Sequence, residues 1–323
     1  LASPEFIFRA GFLLLFIFLV RKAVSTSELI VKYTKNIFLA RRLHMFKILS
    51  KEVLNPTVTR MAIEAPFVAK KAKAGQFIIL RTDKEGERIP LTVAGTDPVK
   101  GSVSIIFQVV GATTEKLNQK KAGDYLEDFV GPLGRPSEIE GLKNVAVIGG
   151  GAGCAIALPL AEALHKQGTR VTSIVGFRGK DLVILEKDFA NCSDKFIKMS
   201  DDGTWGEKGL VTAALEREIK NGVKFDAVIA IGPLIMMKFV CKTTQPYGIK
   251  TIVSMNPIMI DGTGMCGGCR IMVGGKMKFA CVDGPDFNGF DIDWDSAMTR
   301  NAMYRPWERK KYEEACNLFK EGK

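Results

Sequence analysis

The chain has 323 residues and a mass of 35.4 kDa, with 46 Lys+Arg against 35 Asp+Glu for a formal net charge of +11. At 46% hydrophobic and 25% charged residues it is globular, which excludes a disordered or collagen-like chain. The length suits two or three domains that each bury a core, and 32 glycines exceed the needs of turns, which implies backbone running close to ligands.

Residues 1–44 carry seven basic and two acidic side chains, a net +5, which leaves +6 for the other 279. That larger part lacks dense basic runs interleaved with aromatics, so nucleic acid is not an expected partner. Within Phe6 to Lys22 lies an uncharged run of eleven residues, Ala10 to Val20. A bilayer-spanning helix needs about 20. Glu5 precedes the run and no small-residue cleavage site follows directly, which is unlike a signal peptide. Residues 1–44 therefore read as a leader, a membrane anchor or translated upstream sequence, with Met45 as the natural start, and a membrane is expected as a partner only if they are genuine.

From 45 to 140 the signals are strands and turns. Gly75 to Thr82 (GQFIILRT), Arg88 to Asp97 (RIPLTVAGTD) and Gly101 to Val110 (GSVSIIFQVV) are β-branched runs bounded by turn residues, which predicts a small antiparallel β-barrel. Thr92 offers a hydroxyl able to bond a flavin ring edge, and Gly111, Ala112, Thr113 and Thr114 open a helix whose first amides suit a diphosphate. Taken alone, the same residues also suit an ordinary barrel strand and helix cap.

From 141 to 250 the period changes. KNVAVIGGGAGCAIALPLAEALHKQG is an apolar strand, a glycine turn and an apolar-periodic helix, and KFDAVIAIGPLIMMKFV repeats the form. Strands alternating with helices predict a parallel sheet with a crevice at the strand C-terminal ends. Gly149, Gly150, Gly151 and Gly153 stand at the first strand-to-helix turn, where backbone amides suit a pyrophosphate, although a glycine loop alone also suits a tight structural turn. The acidic residue of the usual dinucleotide fingerprint, about 20 positions on, is missing; the next strand ends GFRGKDL.

Residues 251–290 form a glycine-rich lobe with the most specific motif of the chain: Asp261, four residues, Cys266, two residues, Cys269, eleven residues, Cys281. This is close to the plant-type [2Fe–2S] spacing, with Asp261 where the first cysteine belongs. Asp261 then either supplies an oxygen to iron or caps the loop, and a three-cysteine zinc site is the competing reading. Seven cysteines with one tight group argue for metal or cluster ligation in a reducing cytoplasm rather than a disulfide framework. Residues 291–323 read as a charged helical tail. With His44 and His165 the only histidines, and no Ser-His-Asp arrangement, hydrolytic chemistry is not expected.

RIPLT, GPLGRP, VIGGGAG, the Ser200 to Gly209 stretch, IGP and the cysteine group together resemble the ferredoxin-reductase-like electron-transfer flavoproteins, the family that includes the dihydroorotate dehydrogenase electron-transfer subunit. The resemblance covers everything from Met45 onward. Aspartate in place of the first cysteine and the CVDGPDF ending make the chain most similar to the branch formed by the small subunits of NADH-dependent reduced ferredoxin:NADP oxidoreductases, also described as sulfide dehydrogenase subunits. The resemblance implies an FAD-binding barrel, an NAD-binding α/β domain and a terminal [2Fe–2S] lobe. It places Thr92 at the flavin N5, Arg88, Pro90, Leu91 and Gly111 to Thr114 around the FAD, Gly149 to Gly153 at the NAD diphosphate, and Asp201, Asp202, Gly232 and Pro233 along the nicotinamide side. The family pattern R-x-Y-S is altered here: Leu91 takes the aromatic place and Arg88 falls one position early. The implied activity is electron transfer between NAD(H), FAD and the cluster toward a larger FAD/[4Fe–4S] subunit in a heterodimer, as the NAD-side branch of electron bifurcation. The alternative is the electron-transfer subunit of a dihydroorotate or sulfide dehydrogenase.

Overall fold

The computed structural model describes residues 45–321; the readings made for residues 1–44 lie outside them. The first part of the fold is a seven-stranded antiparallel sheet: β1 (Phe46–Asn55), β2 (Val58–Glu64), β3 (Phe77–Arg81), β4 (Arg88–Asp97), β5 (Ser102–Gln108), β6 (Tyr125–Leu126) and β7 (Asp128–Leu133). The order β6-β1-β2-β5-β4-β3-β7 puts at the two edges strands that follow each other directly in sequence, so the sheet curls into a near-closed barrel. Helices α1 (Pro66–Lys71) and α2 (Ala112–Gln119) complete this part.

Because side chains alternate across a strand, β3 serves two cores. Ile78 and Leu80 point into the barrel with Met61, Ile63 and Ile105, while Phe77 and Ile79 join Met259, Cys269 and Ile271 outside it. Ile78 and Ile79 are both fully buried, each stabilising the fold by roughly 1.5–3 kcal/mol. One short strand thus ties the barrel to the cysteine lobe.

The second part is a seven-stranded sheet ordered β11-β10-β9-β8-β12-β13-β16, built from β8 (Asn144–Gly150), β9 (Arg170–Phe177), β10 (Lys195–Ser200), β11 (Glu207–Lys208), β12 (Ala227–Ile231), β13 (Thr251–Ser254) and β16 (Asp286–Asn288). All neighbours are parallel except β13 and β16. Helices α3 (Cys154–Lys166), α4 (Glu186–Asn191), α5 (Val211–Lys220) and α6 (Leu234–Thr244) supply the crossovers that parallel strands require. The chain leaves β8 toward β9 on one side and returns to β12 on the other, so the switch point of the sheet lies between β8 and β12.

The cysteine lobe holds the hairpin β14 (Arg270–Val273) and β15 (Lys276–Phe279), a turn of helix α7 (Ala280–Asp283), and the tail helices α8 (Trp294–Ala302) and α9 (Arg305–Glu321). Sequence reading started this lobe at residue 251. In the structure Thr251–Ser254 is an inner strand of the parallel sheet, and Asp286–Asn288 returns from the lobe to pair with it. The glycine-rich character of 251–290 concealed both strands.

Candidate functional site: a cleft between two sheets and a cysteine loop

A cleft of about 810 Å³ opens between the barrel and the C-terminal ends of the parallel strands. Its barrel wall includes Pro90, Leu91, Thr92 and Thr114, and its other wall includes Gly150 to Gly153, Asp201, Gly232 and Pro233. Thr92 sits on β4 opposite Phe77 of β3, in a pairing that holds its backbone rigid. The switch point of an open parallel sheet is where such folds bind ligands, and here the barrel strand carrying Thr92 faces it.

The glycine turn runs directly from β8 into α3, and its residues have separate tasks. A Cβ on Gly153 would stand 2.5 Å from the Ile231 carbonyl oxygen and 2.6 Å from Gly232 Cα, so only glycine lets the β8 and β12 loops touch. Gly151 has φ +55 and nothing within 4 Å of its Cβ position, so its backbone faces open space. Unsatisfied amides and the helix dipole at the start of α3 favour an anion there.

At the other wall the Thr114 hydroxyl accepts from the backbone N–H of Val110 and Gly111, both at 3.0 Å, and donates to the Gly111 carbonyl at 2.9 Å. Thr113 donates its hydroxyl to Glu87 at 2.9 Å. Both threonine side chains therefore shape the loop, and the helix-start amides remain the groups suited to a phosphate.

The structure separates residues that sequence reading had grouped. Asp201 and Asp202 follow β10, and Gly232 follows β12, three strands away in the sheet. At about 4.8 Å per strand the gap is about 14 Å, so Asp201 and Gly232 line the same cleft from well-separated strands. Asp201 lines the cleft beside Arg178. Asp202 accepts from the Thr204 N–H at 2.8 Å and its hydroxyl at 2.7 Å, contacts that hold its carboxyl below the usual carboxylate range. It packs over Gly179, where an added Cβ would meet it at 2.4 Å. Asp202 thus braces the loop.

Arg88 departs further from expectation. It lines a second cavity of about 700 Å³ rather than the cleft that holds Thr92 and Thr114. Its Nε donates to the Ile260 carbonyl at 2.9 Å, and its Nη1 lies 3.3 Å from the Asp128 carboxylate. It is a bond between the start of β4 and the residue before Asp261.

The Asp261 carboxylate accepts from the N–H of Thr263 and of Cys266, both at 2.7 Å, and these bonds hold it below the usual range. It caps the loop, and each oxygen keeps a second lone pair for a metal. Cys269 and Cys281 lie 3.2 Å apart, sulfur to sulfur, both buried. Burial first, then the neighbouring Cys269, pushes the Cys281 thiol up to about 12. The four groups fall into two pairs, Asp261 with Cys266 and Cys269 with Cys281. Among the described residues none of these form a single-ion centre of three or more groups. Two pairs of anionic ligands suit a two-iron cluster, with two ligands per iron.

A near-closed antiparallel barrel, a parallel sheet with its switch point facing that barrel, and a cysteine loop beside the shared strand define a ferredoxin-reductase-like electron-transfer protein. Residues 256–293 match the iron–sulfur cluster binding domain of dihydroorotate dehydrogenase B. A Thermotoga maritima protein described as a dihydroorotate dehydrogenase B (NAD(+)) electron transfer subunit homolog is 48% identical over 78% of this chain and 88% of its own length. The Streptococcus pneumoniae electron transfer subunit of dihydroorotate dehydrogenase B is 30% identical over 76% and 96%. This chain belongs to the dihydroorotate dehydrogenase B electron-transfer subunit family. Among solved structures, a chain of the NADH-dependent reduced ferredoxin-NADP oxidoreductase, studied for flavin-based electron bifurcation, superposes with a TM-score of 0.79 at 46% identity, covering 83% of this chain and 96% of that one. An Amycolatopsis cytochrome P450 reductase shares the fold at 20% identity and a TM-score of 0.52.

Sequence reasoning missed Arg270, Arg300 and Asp286. No local motif marks any of the three. Asp286 is half-buried on β16 with one carboxylate oxygen enclosed, and it accepts a hydrogen bond from the Ser137 hydroxyl of the segment joining the two sheets.

Proposed function

We propose that the chain is an electron-transfer flavoprotein subunit working between NAD(H), FAD and a [2Fe–2S] cluster, and that it delivers electrons to a larger iron–sulfur flavoprotein subunit as the NAD-side branch of an electron-bifurcating transhydrogenase. The observation that carries this reading is that one strand, β4, serves both ends: Pro90 to Thr92 line the cleft opposite the glycine turn, and Arg88 bonds the cluster loop.

FAD held in the cleft would supply hydride exchange with NAD(H) and single-electron exchange with an iron–sulfur centre, chemistry that belongs to the cofactors. The chain's own residues orient and shield. The Thr92 hydroxyl offers a hydrogen bond to the reacting edge of the flavin, the first amides of α2 take its diphosphate, and the turn at Gly150 to Gly153 takes the NAD diphosphate. Gly232 and Pro233 close over the nicotinamide end and exclude water, while Asp201 and Arg178 flank the adenosine end. Asp261, Cys266, Cys269 and Cys281 supply the cluster ligands. Among the described residues no helix is long and apolar enough to cross a membrane.

The test is anaerobic mixing of the purified holoprotein with NADH. Bleaching of flavin followed by a reduced iron–sulfur EPR signal is expected, together with co-purification of a larger flavin and iron–sulfur subunit that reduces NADP with ferredoxin. The family's name supports a second reading, delivery to a dihydroorotate dehydrogenase. A co-purifying partner that oxidises dihydroorotate would establish that reading in place of the first.

A further inference from the structure

Three guanidinium groups from three different elements donate to backbone carbonyls of one short loop. Arg88, at the start of β4, bonds the Ile260 carbonyl at 2.9 Å. Arg270, at the start of β14, bonds that of Gly267 at 3.2 Å. Arg300, on the tail helix α8, bonds that of Gly268 at 3.3 Å. Ile260, Gly267 and Gly268 bracket Asp261 and Cys266, and all three arginines line the 700 Å³ cavity into which Cys266 and Gly268 also open.

We propose that Arg88, Arg270 and Arg300 form an electrostatic clamp that fixes the cluster loop and raises the reduction potential of the cluster. The inference rests on the iron–sulfur reading given under Proposed function. Three thiolates and a carboxylate leave an iron–sulfur centre with a net negative charge, and an added electron makes it more negative. Permanent positive charge beside the ligands therefore favours the reduced form, since net charge, hydrogen bonding and exposure set such potentials. Arginine suits the task because it stays charged at any working pH and its planar fork can meet a carbonyl without losing that charge. Arg88 is partly neutralised by Asp128, which also pairs with Arg81 at 2.8 Å. Arg270 and Arg300 thus carry the larger electrostatic share, and Arg88 the larger mechanical share, as the bond between flavin strand and cluster loop. All three are positioning residues.

The clamp assigns the tail a role within this subunit. Helix α8 is joined to the lobe by the backbone N–H of Asp293, which donates to the Met272 carbonyl of β14 at 3.0 Å, and by the Arg300 bond. The tail is therefore part of the cluster's electrostatic environment.

The experiment is an EPR-monitored redox titration of the holoprotein, with Arg270→Gln, Arg300→Gln and Arg300→Lys beside the unaltered chain, and amide exchange over residues 256–268 measured in parallel. Each Gln variant is expected to shift the reduced-to-oxidised ratio at the original midpoint by about three- to tenfold toward oxidised, tenfold being 59 mV for a one-electron couple. The Lys variant keeps most of the original potential while its loop exchanges faster, which separates charge from geometry. For Arg88→Gln, faster exchange of the loop and faster iron loss to a chelator are expected, with FAD content unchanged. Unchanged midpoints in both Gln variants overturn the clamp while leaving the cluster established. Loss of FAD with retained iron in Arg88→Gln overturns the part given to Arg88, and a holoprotein without any iron–sulfur signal overturns the underlying reading along with the clamp.

Discussion

Gly153 and Gly232 touch across the crevice: a Cβ on the first would lie 2.6 Å from the Cα of the second. The loops after β8 and β12 are set at this distance by the absence of one methyl group. Replacing Gly153 by Ala must push them apart, because the other near atom is the Ile231 carbonyl oxygen and backbone does not yield cheaply. The apparent affinity for NADH in flavin bleaching is expected to fall about tenfold or more with FAD content intact. Gly151→Ala is the control. It meets no atom within 4 Å, and the expected cost is a left-handed backbone strain of roughly 1–2 kcal/mol in stability, without displacement of the β12 loop.

Thr92→Val keeps the shape of the side chain and removes its hydroxyl. If that hydroxyl bonds the flavin edge, its loss costs about 1–1.5 kcal/mol of orientation, or roughly tenfold in the rate of flavin reduction by NADH. Stopped-flow bleaching measures it. An unchanged rate would assign Thr92 to the barrel alone.

Asp286 gives a pH dependence with a definite sign. Burial holds its carboxyl above the usual range, opposed by hydrogen bonds from Ser137 and Ser254. The folded state therefore binds more protons than the unfolded one, whose carboxyl titrates near about 3.9. Stability contributed here is fully present below that value and declines as pH rises, until the folded carboxyl also ionises. Asp286→Asn carries no charge and keeps hydrogen-bonding capacity. From about pH 5 to about pH 7.5, the unaltered chain is expected to lose several degrees of thermal midpoint relative to this variant. Parallel melting curves across that range would count against a proton held at Asp286.

The cysteine pair predicts proton release. With burial, then the neighbouring Cys269, pushing it up to about 12, the Cys281 side chain is a thiol near neutrality, and iron ligation must deprotonate it. Cluster reconstitution of the apoprotein is expected to speed up from about pH 7 to about pH 8.5, and Cys281→Ser to abolish the cluster with the barrel and its flavin retained. Iron and acid-labile sulfide content, read against FAD absorbance, checks both.

Much of this arrangement is written in local patterns. The change near Gly141 from alternating β-branched runs to strand-glycine-helix units marks the step from barrel to parallel sheet, and the spacing from Asp261 to Cys281 marks the lobe. These signals are legible because each depends on residues close in sequence. What escaped depends on partners far apart. Arg88 reads as a phosphate ligand, whereas in the fold its Nε–H donates to the carbonyl of Ile260, 172 positions later. Asp201 and Gly232 read as neighbours until strand order sets them three strands apart, while Asp202 packs over Gly179. Strand order is fixed by crossovers and packing, which no short window of sequence contains.

The return of β16 to the edge of the parallel sheet has an architectural consequence. Ser254 pairs with Asp286 and Ile252 with Asn288, so the chain leaves the parallel sheet, builds the cysteine loop and hairpin, and stitches itself back. The lobe is an excursion from that sheet and cannot be cut away or transplanted as a cartridge without baring the β13 edge. Evolution or engineering that exchanges the cluster must keep both seams, and unfolding that opens the sheet at β13 releases the ligands with it.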